Sequence, residues 1–271
     1  MVKYLIFGAG YLGTILSERL EDSELIVDKM RCKEDINEVI SDVEPDIVIN
    51  CIGKTGIPNV DWCEDNKVTT FFSNVLIPYW IADLCFKYDL HFINIGTGCV
   101  FQSTDFLDDD ATPNFFGSFY SRTKLMTEDV LSEFPDNTNL RIRFPISGIS
   151  NPKNFLYKVS KFNKVTDIEN SVTFVTDIVN AIEFVSNNLI FGNVNLVHPI
   201  TTSVKEIADK MGLDCEIVPQ SEVSVGKRAN TMLSPKKLLD AGFKFVDFDE
   251  ELNKCIRTMN EEIKNENENE L

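Results

Sequence analysis

A glycine-rich turn near the start of the chain constrains the fold more than any other feature of the sequence. The apolar run at residues 2–7 passes directly into Gly8-Ala9-Gly10-Tyr11-Leu12-Gly13, and residues 14–20 follow with helical periodicity. Strand, tight turn and helix in this order are typical of a dinucleotide site on a parallel sheet. The glycines let the backbone approach a pyrophosphate, which the positive helix N-terminus attracts. The opening of the chain therefore predicts a dinucleotide-binding α/β fold.

Strand and helix patterns alternate through the first half of the chain. The predicted strands lie at 24–27, 46–50, 91–95 and 140–144, and the helices near 34–43, 66–88 and 118–133. This order predicts a doubly wound parallel sheet of the Rossmann type, with ligands bound beyond the carboxyl ends of its strands.

After Pro145 the pattern becomes irregular, with short helices near 204–211 and 234–241. We therefore expect a smaller C-terminal substrate domain interleaved with the first one. The predicted parts are a Rossmann domain at 1–145 with about 173–190 packing back on it, a substrate-binding domain at 146–260, and an acidic tail at 261–271. The tail is polar and of low complexity, which predicts disorder.

Composition argues against several classes of function. The net charge of −17 disfavours nucleic acid as a partner, because a phosphate backbone needs a basic face. The sequence contains no run of eighteen apolar residues, so we expect no membrane span. Its first residues lack the basic segment and following apolar segment of a signal peptide. Seven cysteines without framework spacing predict reduced thiols in the cytoplasm. With only two histidines and no Cys-x-x-Cys pair, we expect no metal site.

The residues after the second predicted strand bear on the identity of the nucleotide. Asp28 ends that strand at the place where a carboxylate binds the ribose hydroxyls of NAD. Lys29, Arg31 and Lys33 follow, and such cations suit the 2′-phosphate of NADP. A solvated loop is the alternative interpretation of this basic cluster. We expect NADPH and leave NADH open.

Further cofactor contacts are expected at the carboxyl ends of the strands. Asn50, Cys51 and Gly53 follow the third predicted strand, and Pro145 follows the fifth. Because these ends meet at one edge of a parallel sheet, they should border the same nucleotide as the glycine turn.

Tyr120 and Lys124 lie one helical turn apart in Gly117-Ser118-Phe119-Tyr120-Ser121-Arg122-Thr123-Lys124. A lysine ammonium favours the phenolate, and this predicts that the pKa of Tyr120 falls from about 10 towards neutrality. A tyrosine tuned in this way can protonate a carbonyl oxygen as a hydride arrives. Any long helix can carry this spacing by chance, so the interpretation depends on the dinucleotide turn.

Thr97 and Cys99 end the strand that precedes the tyrosine helix. Residues i and i+2 of a strand point to the same side, so both can face one pocket. The Thr97 hydroxyl would then bond the substrate oxygen beside Tyr120, although a strand-end cap is the alternative. A free cysteine such as Cys99 is more often a small buried hydrophobe.

Several segments resemble one enzyme family. They are residues 53–64, 97–101, 113–121, 145–147 and 151–158. These segments look like an extended short-chain dehydrogenase/reductase. More closely, they resemble the bifunctional UDP-4-keto-6-deoxy-D-glucose 3,5-epimerase/4-reductase of plants and giant viruses, which completes UDP-L-rhamnose synthesis. The broader relative is dTDP-4-dehydrorhamnose reductase, which performs only the reduction. The glycine turn is one residue shorter than the Gly-x-x-Gly-x-x-Gly usual in the family.

The resemblance implies roles for five residues. Tyr120 would donate a proton to the sugar C4 oxygen, Lys124 would tune it and hold the nicotinamide ribose, and Thr97 would fill the usual Ser/Thr place. Cys99 and Lys158 match the epimerase acid/base pair of the bifunctional family. Such a pair would remove and return the hydrogens at C3 and C5, which are α to the C4 ketone. On its position alone, a lysine such as Lys158 is more often a surface residue.

Substrate contacts are expected on loops. The candidates for the sugar pocket are Thr55, Asn59, Asp61 and Trp62, of which Trp62 is equally compatible with a core position. Asn154 and Arg228 are candidates for the UDP diphosphate, Arg228 because a guanidinium can bind phosphate oxygens bidentately. A solvated loop is the alternative for Arg228.

The sequence therefore predicts an enzyme that epimerises UDP-4-keto-6-deoxy-D-glucose at C3 and C5 and then reduces C4 with NADPH. A 4-ketoreductase alone is the first alternative. A non-catalytic NADP-binding regulatory subunit is the second, and Tyr120, Lys124 and Thr97 argue against it because such a module needs no tuned phenol. The expected partner is a UDP-sugar, with no nucleic acid and no membrane. A homodimer is left open.

Overall fold

The structure is a computed structural model that describes residues 2–57, 59–223 and 229–269. In chain order, its strands are β1 Tyr4–Phe7, β2 Ser23–Ile26, β3 Ile47–Asn50, β4 His91–Thr97, β5 Phe106–Leu107, β6 Asn137–Ile142, β7 Pro145–Ile146, β8 Lys164–Val165, β9 Thr173–Phe174, β10 Gly192–Asn195, β11 Glu216–Ile217 and β12 Met232–Leu233. Its helices are α1 Tyr11–Arg19, α2 Lys33–Val43, α3 Trp62–Asp65, α4 Lys67–Phe71, α5 Ile77–Tyr88, α6 Phe119–Leu131, α7 Phe155–Val159, α8 Val175–Asn188, α9 Val204–Lys210, α10 Gln220–Val223, α11 Lys236–Asp240 and α12 Phe248–Asn269.

Six strands form the central sheet in the order β10-β6-β4-β3-β1-β2, and every neighbouring pair is parallel. Short apolar runs suit this sheet, because both of its faces are covered by helices. The chain moves outward from β1 to β2 on one side and to β3 on the other. Their carboxyl ends therefore flank a crevice where the strand order reverses. The doubly wound parallel sheet predicted from the sequence is confirmed.

Alternate residues of each strand pack on opposite faces of the sheet, as the pleat requires. On one face, Ile6 of β1 packs in a cluster that includes Ile15 of α1 and Ile182 of α8. On the other face, Leu5 of β1 joins a cluster with residues of α2 and α5, among them Ile81. Strand β1, which leads into the glycine turn, is therefore packed on both faces.

A third buried cluster comes from the part of the chain after Phe144. It is formed by β7, α7, β9, α9 and α12, and it includes Leu156 of α7 and Leu252 and Met259 of α12. The sequence predicts a disordered tail from residue 261, whereas the structure continues α12 through Asn269. One reason lies in side-chain contacts: Ile263 packs against this cluster, and a Glu262 carboxylate oxygen accepts a hydrogen bond from the Ser150 N–H at 2.6 Å.

The strand predicted at 140–144 in fact spans Asn137–Ile142. Asparagine is depleted in strands, so the residues at its start conceal the strand in the sequence. Buried side-chain bonds compensate here, since Asn139 donates to Asn193 and accepts from Asn94 on the neighbouring strands. At the other end, Phe144 takes a left-handed backbone with φ 41° and turns the chain away from the sheet.

A π-helical turn at Phe72–Leu76 joins α4 and α5 into one continuous helix, Lys67–Tyr88. This helix is long and apolar enough to cross a membrane by length and composition alone, with a mean hydropathy of 1.2. However, 56% of that apolar window is buried inside the fold, as in the core helix of a globular domain.

Candidate active site

A cleft of about 710 Å³ opens at the carboxyl ends of the central strands, between the sheet and the segment that carries α7. Thirteen of the residues predicted from the sequence line it: Gly10, Tyr11, Leu12, Cys51, Gly53, Thr55, Asn59, Thr97, Cys99, Tyr120, Lys124, Pro145 and Lys158. Residues that lie far apart in the chain therefore border one space, large enough for a nucleotide-sized ligand.

The glycine turn leaves room for a phosphate group. Gly8 has φ +104°, and a Cβ on Gly13 would lie 2.0 Å from the Gly8 carbonyl oxygen, so α1 can approach β1 only because residue 13 is glycine. A Cβ on Gly10 would meet no atom within 4 Å. Gly10 is the N-cap of α1, and no side chain caps this helix. The free N–H groups and the open space above Gly10 fit the pyrophosphate of a dinucleotide.

The residues expected near the adenosine ribose lie outside the cleft lining. Asp28, Lys29 and Arg31 are all exposed beyond β2. Lys33 forms an ion pair with Asp83 of α5. Lys29 and Arg31 are therefore the exposed cations beside Asp28.

Asn50 also does not reach the cleft. Its side-chain amide donates to the Asn94 Oδ1 at 2.8 Å, and its own Oδ1 accepts the Ile52 N–H at 3.1 Å. It fixes the turn after β3, and Cys51 and Gly53 border the cleft in its place. Both ends of the Asn50 side chain are thus engaged in the sheet and the turn that follows it, and its role as a direct cofactor contact stays a prediction.

Tyr120 is held against the end of β4. The Thr97 side chain lies close enough to the phenol to lower its pKa, and the Thr97 Oγ1 accepts the Cys99 N–H at 3.1 Å. One turn into α6, the Ser121 hydroxyl donates to the Cys99 carbonyl at 2.8 Å. Ser118 caps the helix by accepting the Ser121 N–H. These bonds fix the first turn of α6, the threonine hydroxyl and the Cys99 backbone relative to one another.

The pKa of Tyr120 is raised, not lowered as the sequence spacing predicts. Burial is the main cause, because a phenolate loses its hydration, and the charge of Cys99 adds to it. The Lys124 ammonium donates to the Ile95 carbonyl at 3.1 Å. Burial lowers the pKa of Lys124 to about 8, against the opposing charge of Glu128. Tyr120 is therefore a neutral phenol that can donate a proton.

Lys158 lies in the last turn of α7 and points into the same cleft. Burial lowers the pKa of Lys158, and the charge of Cys99 acts in the opposite direction. The Lys158 ammonium and the Cys99 side chain are therefore close enough to interact through their charges. A thiol and an amine that border one cleft can exchange protons with a ligand between them.

Arg143 is a functional candidate that the sequence analysis missed. It is 2% exposed, and its Nη1 donates to the Cys99 sulfur at 2.8 Å. A signal was present, because Arg141 and Arg143 interrupt an apolar strand pattern and a buried arginine needs a specific partner. Arg141 uses its charge in a buried pair with Glu128.

Lys153 was also missed. Its ammonium donates to the Thr55 Oγ1 at 2.7 Å and to the Gly56 carbonyl at 2.8 Å, across the cleft from the loop after β3. Burial lowers the pKa of Lys153, and the charges of Lys158 and Lys54 lower it further. This mutual repulsion indicates a positive potential, which an anionic ligand would relieve.

A family model described as the NAD dependent epimerase/dehydratase family matches residues 4–147. The chain belongs to this family. In Arabidopsis thaliana, the bifunctional dTDP-4-dehydrorhamnose 3,5-epimerase/dTDP-4-dehydrorhamnose reductase is 33% identical over 260 residues, covering 87% of this chain and 86% of that protein.

Two further relatives of this epimerase/dehydratase chain confirm the family resemblance seen in its sequence. The trifunctional UDP-glucose 4,6-dehydratase/UDP-4-keto-6-deoxy-D-glucose 3,5-epimerase/UDP-4-keto-L-rhamnose-reductase RHM2 of Arabidopsis thaliana is 35% identical over 261 residues. The match covers 88% of this chain but 39% of that protein, so this chain spans about two fifths of its length. The crystal structure of the L780 UDP-rhamnose synthase from Acanthamoeba polyphaga mimivirus has a TM-score of 0.87 at 27% identity, covering 95% of this chain and 99% of the other.

Three predicted substrate contacts have other positions in this epimerase/dehydratase chain. Asn154 is fully buried as the N-cap of α7, and its amide donates to the carbonyls of Ser147 and Ile149. Trp62 begins α3 and packs beneath Gly56, where a Cβ would lie 2.5 Å from the Trp62 Cβ. Neither Trp62 nor Asp61 lines the cleft. Arg228 lies outside the described residues.

Proposed function

We propose that the protein epimerises UDP-4-keto-6-deoxy-D-glucose at C3 and C5 and then reduces the C4 ketone with NADPH to give UDP-L-rhamnose. One observation carries this proposal: a single cleft holds a Tyr120–Thr97 pair and a Cys99–Lys158 pair. The first pair suits proton delivery to a carbonyl oxygen. The second suits proton exchange at carbons beside that carbonyl. The named activities of the Arabidopsis and mimivirus relatives support the same chemistry.

Tyr120 is the proposed proton donor in the reduction. NADPH, when bound, supplies the hydride that adds to C4. The raised pKa of Tyr120 keeps the phenol protonated until negative charge develops on the C4 oxygen, and Thr97 holds the phenol in place. Lys124 then stabilises the phenolate and would bind the nicotinamide ribose.

Cys99 and Lys158 are the proposed acid/base pair of the epimerisation. The hydrogens at C3 and C5 are acidic because an enolate can delocalise charge onto the C4 oxygen. Removal from one face and return to the other inverts each centre. This requires two groups that border the sugar, which the cleft provides.

Three lysines after Pro145, apart from the acid/base residue Lys158, are proposed to bind the diphosphate of the substrate. Lys153, Lys161 and Lys164 all border the cleft, in a chain whose net charge is −17. Residues 146–260 would accordingly form the substrate-binding part. For the cofactor, the exposed cations Lys29 and Arg31 favour the 2′-phosphate of NADPH.

Product analysis in deuterated solvent tests the proposal. Purified protein is incubated with UDP-4-keto-6-deoxy-D-glucose and NADPH, and the product is analysed by NMR. We expect UDP-L-rhamnose with deuterium at both C3 and C5. Turnover without deuterium would instead identify a 4-ketoreductase alone. No turnover on either the 4-keto-glucose or the pre-epimerised sugar would leave a nucleotide-binding protein without this activity.

A further inference from the structure

Arg143 is a buried cation whose hydrogen-bond partners are neutral groups and one sulfur. Its Nη2 donates to the Asn170 Oδ1 at 2.6 Å and to the Ala229 carbonyl at 3.0 Å, and its Nη1 donates to the Cys99 sulfur at 2.8 Å. Over residues 2–57, 59–223 and 229–269, no carboxylate forms an ion pair with Arg143, and its Nε has no hydrogen-bond partner. The nearby Arg141 differs, because Glu128 balances its charge.

A buried guanidinium without an anion is costly, since neutral acceptors return only part of the lost hydration. An anionic partner would restore the balance, and the Cys99 sulfur is a hydrogen-bond partner of Arg143 that can become anionic. Hydrogen bonds to a charged acceptor are also about twice as strong as those between neutral groups. The environment of Arg143 therefore favours a thiolate at Cys99.

The backbone is shaped to permit this contact. A Cβ on Gly98 would lie 2.9 Å from both the Cγ and the Cδ of Arg143, so the arginine side chain passes through space that only glycine leaves open. The Cys99 backbone is fixed on both sides, by Thr97 and by Ser121. The sulfur is thus directed towards the guanidinium by the fold.

We propose that Arg143 is a positioning residue that holds Cys99 as a thiolate and thereby makes Cys99 the base of the epimerisation. This rests on the proposed function. Four charged or titratable groups interact with Cys99. They are Arg143 at the end of β6, Lys158 on α7, and Tyr120 and Lys124 on α6. Three of them are cations when protonated, and all three favour the anion.

The proton transfer balances as follows. The Cys99 thiolate takes the proton from C3 or C5, so that an S–H bond forms, a C–H bond breaks and the electron pair moves onto the C4 oxygen. The Lys158 ammonium then gives a proton to the opposite face of that carbon, and the C4 carbonyl re-forms. A proton passing from the Cys99 thiol to the Lys158 amine through solvent resets both groups.

Alkylation of the unmodified protein is the first test. Iodoacetamide is applied over a pH series, and each cysteine is followed by mass spectrometry of its peptide. Cys215 lies in a different part of the chain and serves as an internal reference. We expect Cys99 to reach half-maximal rate at a pH at least one unit below that of Cys215. An equal or higher midpoint for Cys99 would overturn the proposal.

Two substitutions make the second test. Arg143→Gln keeps an N–H donor without the charge, and Arg143→Lys keeps the charge. We expect Arg143→Gln to move the Cys99 alkylation midpoint upward and to slow deuterium exchange at C3 and C5 by about 10- to 100-fold. Reduction of the pre-epimerised sugar should fall by no more than a few-fold, and Arg143→Lys should recover part of the exchange.

The control is Arg257→Gln, which removes the same charge from the exposed face of α12. It should change neither the midpoint nor the exchange. Equal losses of exchange and reduction in Arg143→Gln would show a structural role and overturn the proposal. If Arg143→Gln does not fold, Arg143→Lys and the unmodified protein decide the question by alkylation. If the unmodified protein exchanges no deuterium, the epimerase function fails while the alkylation series still tests the contact.

Discussion

Asp177 provides a direct test of how burial sets stability in this fold. It lies in the first turn of α8 and is 1% exposed. One carboxylate oxygen accepts the Val246 N–H at 3.1 Å, whereas the other has no hydrogen-bond partner among the described residues. Burial, reinforced by the charge of Glu251 and partly offset by the Val246 bond, raises the pKa of Asp177 from 3.8 to about 7.

The sign of the effect follows from proton binding. Between pH 3.8 and about 7 the folded chain holds a proton that the unfolded chain has lost, so the free energy of unfolding falls as pH rises. Each unit of difference between the two pKa values lowers the free energy of unfolding by about 1.4 kcal/mol, which gives a full loss of about 4 kcal/mol above pH 7. Because the sequence pI is about 4.5, measurements are better made from pH 5.5 upward. The remaining interval from pH 5.5 to 7 corresponds to about 2 kcal/mol.

Asp177→Asn removes this titration while its oxygen can still accept the Val246 N–H. Urea unfolding is measured for both proteins at pH 5.5 and pH 8. We expect the stability of the variant relative to the parent to increase by about 2 kcal/mol between the two values. Asp129→Asn, an exposed carboxylate on α6, is the control and should show no such change. If the relative stability of Asp177→Asn stays constant with pH, the reasoning is refuted.

Three further predictions concern the cleft. Tyr120→Phe should slow the reduction at C4, followed by NADPH absorbance, by at least about 100-fold and leave deuterium exchange at C3 and C5, followed by NMR, intact. Cys99→Ala should slow the deuterium exchange and leave the reduction at C4 intact. Gly13→Ala should lower the melting temperature, because its Cβ would lie 2.0 Å from a carbonyl oxygen of the turn. Gly10→Ala should melt like the parent but bind NADPH more weakly by fluorescence titration, since the space it fills is open. Lys153→Ala should raise KM for the UDP-sugar by about tenfold with kcat nearly unchanged, and an equal fall in kcat would contradict a binding role.

Features set by local spacing could be predicted from the sequence. The glycine turn needs only a strand before it and a helix after it, so Gly8, Gly10 and Gly13 are recognisable from a few residues. Tyr120 and Lys124 share a helix turn, and Thr97 and Cys99 share a strand end. Each relation spans at most six residues of sequence, a range over which the regular periodicity of helix and strand fixes which residues share a side.

Features that depend on burial or on distant contacts could not be predicted. The Tyr120–Lys124 spacing correctly places two groups near each other, but the pKa of Tyr120 depends mainly on burial, which only the folded chain determines. Arg143 meets Cys99 across 44 residues of sequence, through the space left by Gly98. Asn154 looks like a ligand-binding amide in the sequence, yet its bonds to the surrounding backbone make it a helix cap.

The proposed two reactions would be linked by charge within the cleft. The charge of Cys99 is one cause of the raised pKa of Tyr120, while the charge of Arg143 acts in the opposite direction. Burial is the main cause of the raised pKa of Tyr120, and a thiolate at Cys99 would add to it, so the proton needed for reduction would be retained while the sugar is epimerised. Neutralising Cys99 by proton uptake removes that effect and makes the phenol more acidic. The same thiolate that the epimerisation requires would thus protect the proton donor of the reduction, which gives a physical reason for both pairs to share one cleft.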